Sequence, residues 1–77
     1  MAILIPKEER DRWNISKNHI DDPDYEEMTY RTYLIVTDYI NYKVLEGMCT
    51  WDDYPDVKHW RQVAREEIER LESEKNK

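Results

Sequence analysis

The stretch PDYEEMTYRTYLIVTDYINYKVLEG, residues 23–47, decides the fold. Proline and glycine occur only at its two ends, and apolar side chains recur between them at intervals of three and four. Pro23 follows Asp21 and Asp22, so an aspartate can cap a helix whose first turn accepts proline, with Asp24, Glu26 and Glu27 against the positive end of the dipole. Gly47 ends it, because glycine takes the left-handed conformation past a helix terminus without a Cβ penalty. A helix over about 23–46 follows. Tyr25, Met28, Thr32, Ile35, Tyr39 and Tyr42 mark one face, and Tyr30, Tyr33, Leu34, Thr37, Ile40 and Val44 a second. One neighbouring helix covers only one of them. Either the N-terminal segment folds back over the second face with Trp13, Ile15 and Ile20, or a face rich in Tyr and Met meets another subunit.

Beyond the glycine, Thr50-Trp51-Asp52-Asp53 has the form of a capping box, and Tyr54-Pro55-Asp56 offers a second start signal, one of which opens a helix. Val57, Trp60, Ala64, Ile68 and Leu71 trace its apolar stripe. Lys58, Arg61, Arg65, Glu66, Glu69, Arg70 and Glu72 fall opposite as a solvated face, with Glu66 and Arg70 spaced for an ion pair and a frayed, charged tail from Ser73 to Lys77. Toward the N-terminus, Pro6 suits the first turn of a short helix over 6–13, and residues 2–5 read as an extended arm or edge strand. The expected fold is all-α: an antiparallel αα-hairpin, about 23–46 and 55–73, within a unit spanning 23–77, preceded by an extended or short-helical arm over 1–22.

Composition limits what such a chain does. Its 77 residues make one small domain, with 18 acidic and 12 basic side chains and a net charge of −6. Tyr and Trp supply all the aromatics, Phe being absent, so much apolar surface carries a polar tip. A core of this size is thin and gains from association, so a homo-oligomer is one expectation. Cys49 is the single cysteine, which excludes an internal disulfide and fits synthesis in a reducing cytoplasm. No run is long enough for a membrane span, and residues 2–5 lead straight into charge, unlike a targeting segment. The excess negative charge sits in residues 21–56, a sign that repels nucleic acid and attracts basic protein surfaces; as a solvated face the same acids only cap helices and keep the chain soluble.

Chemical motifs are lacking. His19 with Asp21, Asp22 and Asp24, or Cys49 with His59, lack the spacing of zinc or calcium ligands. Cys49, Ser16 and Ser73 have no elbow or oxyanion loop nearby in a chain with one glycine. Neither a cofactor nor catalysis is expected, and Cys49 reads as a small buried hydrophobe. Trp51, Tyr54 and Trp60 are expected to pack together where the helices meet; were Trp51 exposed, it would be an interface anchor.

Thr37-Asp38-Tyr39, Lys43, Glu46-Gly47, Tyr54-x-Asp56-Val57 and Arg61-Gln62-x-x-Arg65-x-x-Ile68 form an ordered string that resembles a helical-hairpin module recurring in tailed-bacteriophage proteins, in tail-associated or tail-fibre-assembly polypeptides. The resemblance covers about half the chain, residues 37–72. It implies a small structural or assembly accessory, made in the host cytoplasm and carried in the virion, that docks onto a protein partner. Arg61 and Arg65 would reach Asp38, Glu46 or a partner carboxylate. Candidate interface residues are Ile3, Leu4, Ile5, Trp13, Tyr25, Met28, Tyr39, Tyr42, Trp51 and Trp60, with the arm adding to a sheet edge or lodging in a groove. The alternative is an acidic inhibitor in which Asp21, Asp22, Asp24, Glu26 and Glu27 occupy a basic groove of a host defence or DNA-processing protein.

Overall fold

The computed structural model describes residues 3–15 and 23–76. Expectations placed on Ala2, Ser16, His19, Ile20, Asp21, Asp22 and Lys77 lie outside them. Among the described residues three α-helices form, α1 Lys7–Arg12, α2 Tyr25–Leu45 and α3 Pro55–Lys75, with a 3₁₀ turn, Trp51–Asp53, leading into α3. There is no strand among the described residues. The fold is the expected helical hairpin. Its arms run antiparallel, because Lys75 at the end of α3 reaches Asp24 and Glu27 at the start of α2 while Arg61, nearer the hinge, reaches Asp38.

The hinge forms as its sequence dictates. Gly47 has φ 76°, and its N–H donates to the Val44 carbonyl at 3.0 Å while the Met48 N–H donates to that of Lys43 at 2.9 Å, the two bonds of a Schellman motif. Both start signals beyond it are used. The backbone N–H of Thr50 donates to Asp53 Oδ2 at 3.1 Å and so closes the 3₁₀ turn, and Pro55 occupies the first turn of α3.

The start of α2 differs from expectation. Asp24 is the residue before the helix and Pro23 lies outside it, since the Asp24 carboxylate accepts from Lys75 Nζ at 2.7 Å across the hairpin and makes no cap. The same contact corrects the tail: α3 continues through Ser73 to Lys75, held at its end by Asp24 and Glu27. Arg70 pairs with Glu67 and Glu74, not with Glu66, which instead accepts from Gln62.

Burial settles which face of α2 is covered. Tyr30, Tyr33, Thr37 and Ile40 are fully buried, while Met28, Ile35, Tyr39 and Tyr42 stay exposed. The covering elements are α3 and the N-terminal arm together: Ile5 and Ile15 join Tyr30, Tyr33, Ala64, Ile68 and Leu71 in one core cluster. The arm therefore shares its core with the hairpin. A second Schellman motif turns it inward: Asn14 sits at φ 61°, its N–H bonded to the Asp11 carbonyl and that of Ile15 to Arg10, which delivers Ile15 to the core.

Arg61 corrects the reading of α3. The buried stripe is Val57, Arg61, Ala64, Ile68 and Leu71, with Trp60 half-buried beside it. The guanidinium donates to the Leu34 carbonyl at 2.9 Å, to Thr37 Oγ1 at 2.8 Å and, as expected, to Asp38 Oδ1 at 3.0 Å, so a side chain assigned to the solvated face is a polar rivet between α2 and α3.

Candidate docking surface

Side chains separated alternately by three and four residues fall in a narrow stripe along a helix. On α2 that stripe is Tyr25, Met28, Thr32, Ile35, Tyr39 and Tyr42, the register of two and a half heptads. The opposite face of the helix carries the core, so the stripe points away from α3, and it holds four of the seven large apolar side chains exposed among the described residues. Ile35 is 69% exposed and Tyr42 65%. Leu45 and Met48, which the sequence reading missed, extend the patch around the hinge at 73% and 69%. Their signal was available: Met48 is the residue after Gly47, a place where a Schellman turn holds a hydrophobe.

One flank of the stripe is built by the arm. Trp13 lies against Tyr39, ring centroids 5.9 Å apart and tilted by 58°, and the Arg12 guanidinium lies 5.2 Å from the Trp13 ring. Its indole N–H donates to Glu9 Oε1 at 2.7 Å, and the same oxygen accepts from the Tyr33 hydroxyl at 3.2 Å. Burial, with the Glu9 charge alongside, pushes the Tyr33 phenol well above its ordinary pKa. Tyr30 is raised by burial too, and its hydroxyl oxygen accepts from the Leu4 N–H at 3.1 Å. Lys43 stands 5.2 Å over the Tyr39 ring, so a cation marks the hinge end of the flank.

The predicted interface residues divide. Met28, Tyr39 and Tyr42 lie together on the open stripe, with Tyr25 half-buried at its start, where its hydroxyl accepts from Arg10 at 3.2 Å. Leu4 is exposed on the arm. Ile5 must be withdrawn, since it is fully buried in the molecule's own core, and Ile3 packs against that core; the groove that takes the arm is intramolecular. Trp51 and Trp60 do not share one cluster. Trp51, half-buried, faces the Arg61 guanidinium at 5.8 Å, whereas Trp60 packs on the core and meets the His59 ring edge-on at 4.5 Å. Cys49 is half-exposed, not buried.

The acidic group also divides. Asp24 and Glu27 bind Lys75 at 2.7 and 2.6 Å, and Glu27 also takes Arg31, which reaches on to Glu72 of α3. Hydrogen bonds from Lys75, then from Arg31, hold the Glu27 carboxyl below its usual pKa, and the two carboxylates push the Lys75 ammonium up to about 12. Glu26 is half-buried. Asp24 and Glu27 thus tie the open end of the hairpin together.

Among the described residues no three His, Cys, Asp or Glu side chains come together as a metal site would require, and no helix is long and apolar enough to cross a membrane. Comparisons with protein-family models, with curated proteins and with solved structures found no match.

Proposed function

We propose that this chain is a non-catalytic docking hairpin, a structural or assembly accessory of a tailed-phage particle whose α2 stripe receives a helix of a tail or other virion protein. The observation that carries the reading is the pairing of heptad spacing with exposure: Met28, Ile35, Tyr39 and Tyr42 keep the register of a coiled-coil seam and face solvent. A partner helix laid along the seam buries these side chains between its own and leaves the tyrosine hydroxyls at the wet rim. The phage context rests on the resemblance over residues 37–72, in which Gly47 stops α2 and Arg61 fastens α3 to Asp38.

Inhibition of a basic host protein draws less support, because Asp24 and Glu27 are already matched with Lys75 and Arg31. Mass spectrometry of purified particles and tail-assembly intermediates tests the proposal, with the chain expected in one or both. Absence from both overturns it. The double change Ile35→Lys with Tyr42→Lys should remove the chain from particles while its helical circular dichroism is unaltered, since both positions are open in the monomer.

A further inference from the structure

Away from the seam, a cleft of about 250 Å³ opens where the hinge end of α2 faces the start of α3, lined by Asn41, Trp51, Lys58, Arg61 and Arg65. Three of its five lining residues are cations and none is an acid, in a chain whose net charge is −6. Arg61 is balanced by Asp38. Lys58 and Arg65 have no ion pair, side-chain hydrogen bond or ring contact among the described residues, and in this they stand apart. Lys7, Arg12, Arg31, Arg70 and Lys75 each hold a carboxylate, Arg10 bonds to the Ile5 carbonyl and the Tyr25 hydroxyl, and Lys43 lies over Tyr39. Two uncompensated charges thus meet in one concavity, beside an indole wall and a side-chain amide.

We propose that this cleft binds a phosphate monoester carried on a heteroaromatic ring, a ligand of the nucleoside monophosphate class. Charge matching selects the phosphate. A carboxylate supplies one negative charge, whereas a phosphate monoester near neutrality carries between 1.5 and 2, roughly what Lys58 and Arg65 together leave unanswered. Arg65 offers a planar fork for two oxygens and Lys58 a mobile point charge. Volume selects the ring: the cleft is several times the roughly 30 Å³ share of a water molecule, more than an inorganic ion fills. Trp51 supplies an apolar aromatic surface for the ring, and the Asn41 amide both donates and accepts, as the edge of a nucleobase requires.

Titration at low ionic strength and pH 7.5, followed by the indole N–H resonances and by calorimetry, tests the assignment with inorganic phosphate, adenosine, and adenosine and uridine monophosphates as probes. The monophosphates should bind about tenfold more tightly than phosphate or adenosine alone, since each of those keeps only half of the contacts. Lys58→Gln with Arg65→Gln should weaken monophosphate binding by about tenfold or more with the helical signal unchanged, because neither side chain holds the fold. Trp51→Leu should lower the monophosphates to the level of phosphate and leave phosphate binding as it was. Equal binding of phosphate and monophosphates overturns the proposal in favour of a simple anion site. So does indifference to the double change, or tighter binding of a phosphotyrosine peptide, which would make the cleft a peptide pocket.

Discussion

Arg61 is 8% exposed, yet it is the most polar side chain in the buried stripe of α3. Its contribution lies in three charge-assisted hydrogen bonds made where water is scarce, and the partners differ in what they lose without it. The Asp38 side chain is about half exposed and can turn to solvent, whereas Thr37 is fully buried, donates to the Tyr33 carbonyl at 2.7 Å and keeps no other donor from α3. Arg61→Ala should cost about 2–3 kcal/mol in urea denaturation, and Asp38→Ala under about 1 kcal/mol. Equal costs would mean that the rivet is the ion pair and not the buried bonds. This residue also marks where reading by polarity stops working. A periodicity count assigns every guanidinium to water, so Trp60 took the stripe position in the sequence reading. Only the residues across the interface, Leu34, Thr37 and Asp38, make it profitable to bury Arg61, and they lie 23 to 27 positions away in the chain.

At the scale of elements, the hinge was legible because a single residue type carries it. Gly47 sits at φ 76° with open space around its missing Cβ, so Gly47→Ala meets no clash and isolates the backbone cost, about 1–2 kcal/mol, readable as a lowered denaturation midpoint. The arm was legible only as a possibility. Both faces of α2 hold comparable apolar content, and what selects the covered face is long-range: Ile5 and Ile15 share a core with Tyr30 and Tyr33, Ile15 because Asn14 turns the chain back. Asn14 passed unread because asparagine, unlike glycine, marks such a turn weakly. The start of α2 lies two residues beyond the expected one, and Asp24, which local rules set against the helix dipole, has a distant lysine to bind. The arm's standing as part of the core is testable. Ile5→Ala should cost about 2–4 kcal/mol in cooperative unfolding, with loss of the arm and the hairpin in one transition. A cost near zero, or proteolytic release of the arm from a folded hairpin, would make it an accessory strap.

At the scale of the whole molecule, the chain is drawn out, 40 × 26 × 15 Å with a radius of gyration of 13.2 Å against about 11.5 Å for a compact domain of this length. Few layers lie between any core residue and water, so the charges at the ends of the hairpin and the buried phenols should set its pH range. Glu27 has its pKa lowered from 4.5 in the folded state by Lys75 and Arg31, so its contribution is complete above 4.5 and is lost as pH falls through the folded value. Tyr33 and Tyr30 behave in the opposite sense on the alkaline side: burial raises both above 10.0, so the unfolded chain loses these protons first and stability declines as pH rises past 10.0. Lys75 adds a second alkaline interval, its contribution full below 10.5 and lost as pH climbs through about 12. The melting temperature should therefore be flat between pH 5 and 10 as far as these groups are concerned and fall on both sides. Lys75 bears on both limbs and the two phenols on the alkaline one alone, so single substitutions should separate them. Tyr33→Phe should make the alkaline limb shallower, with Tyr30 keeping its onset at 10.0, and leave the acid limb alone. Lys75→Met should flatten the acid limb, because Glu27 then loses the first of its two cations, and leave the onset at pH 10 in place. If Lys75→Met shifted neither limb, the contact that closes the open end of the hairpin would be a surface pairing without thermodynamic weight, and the helical ending of α3 at Lys75 would need another cause.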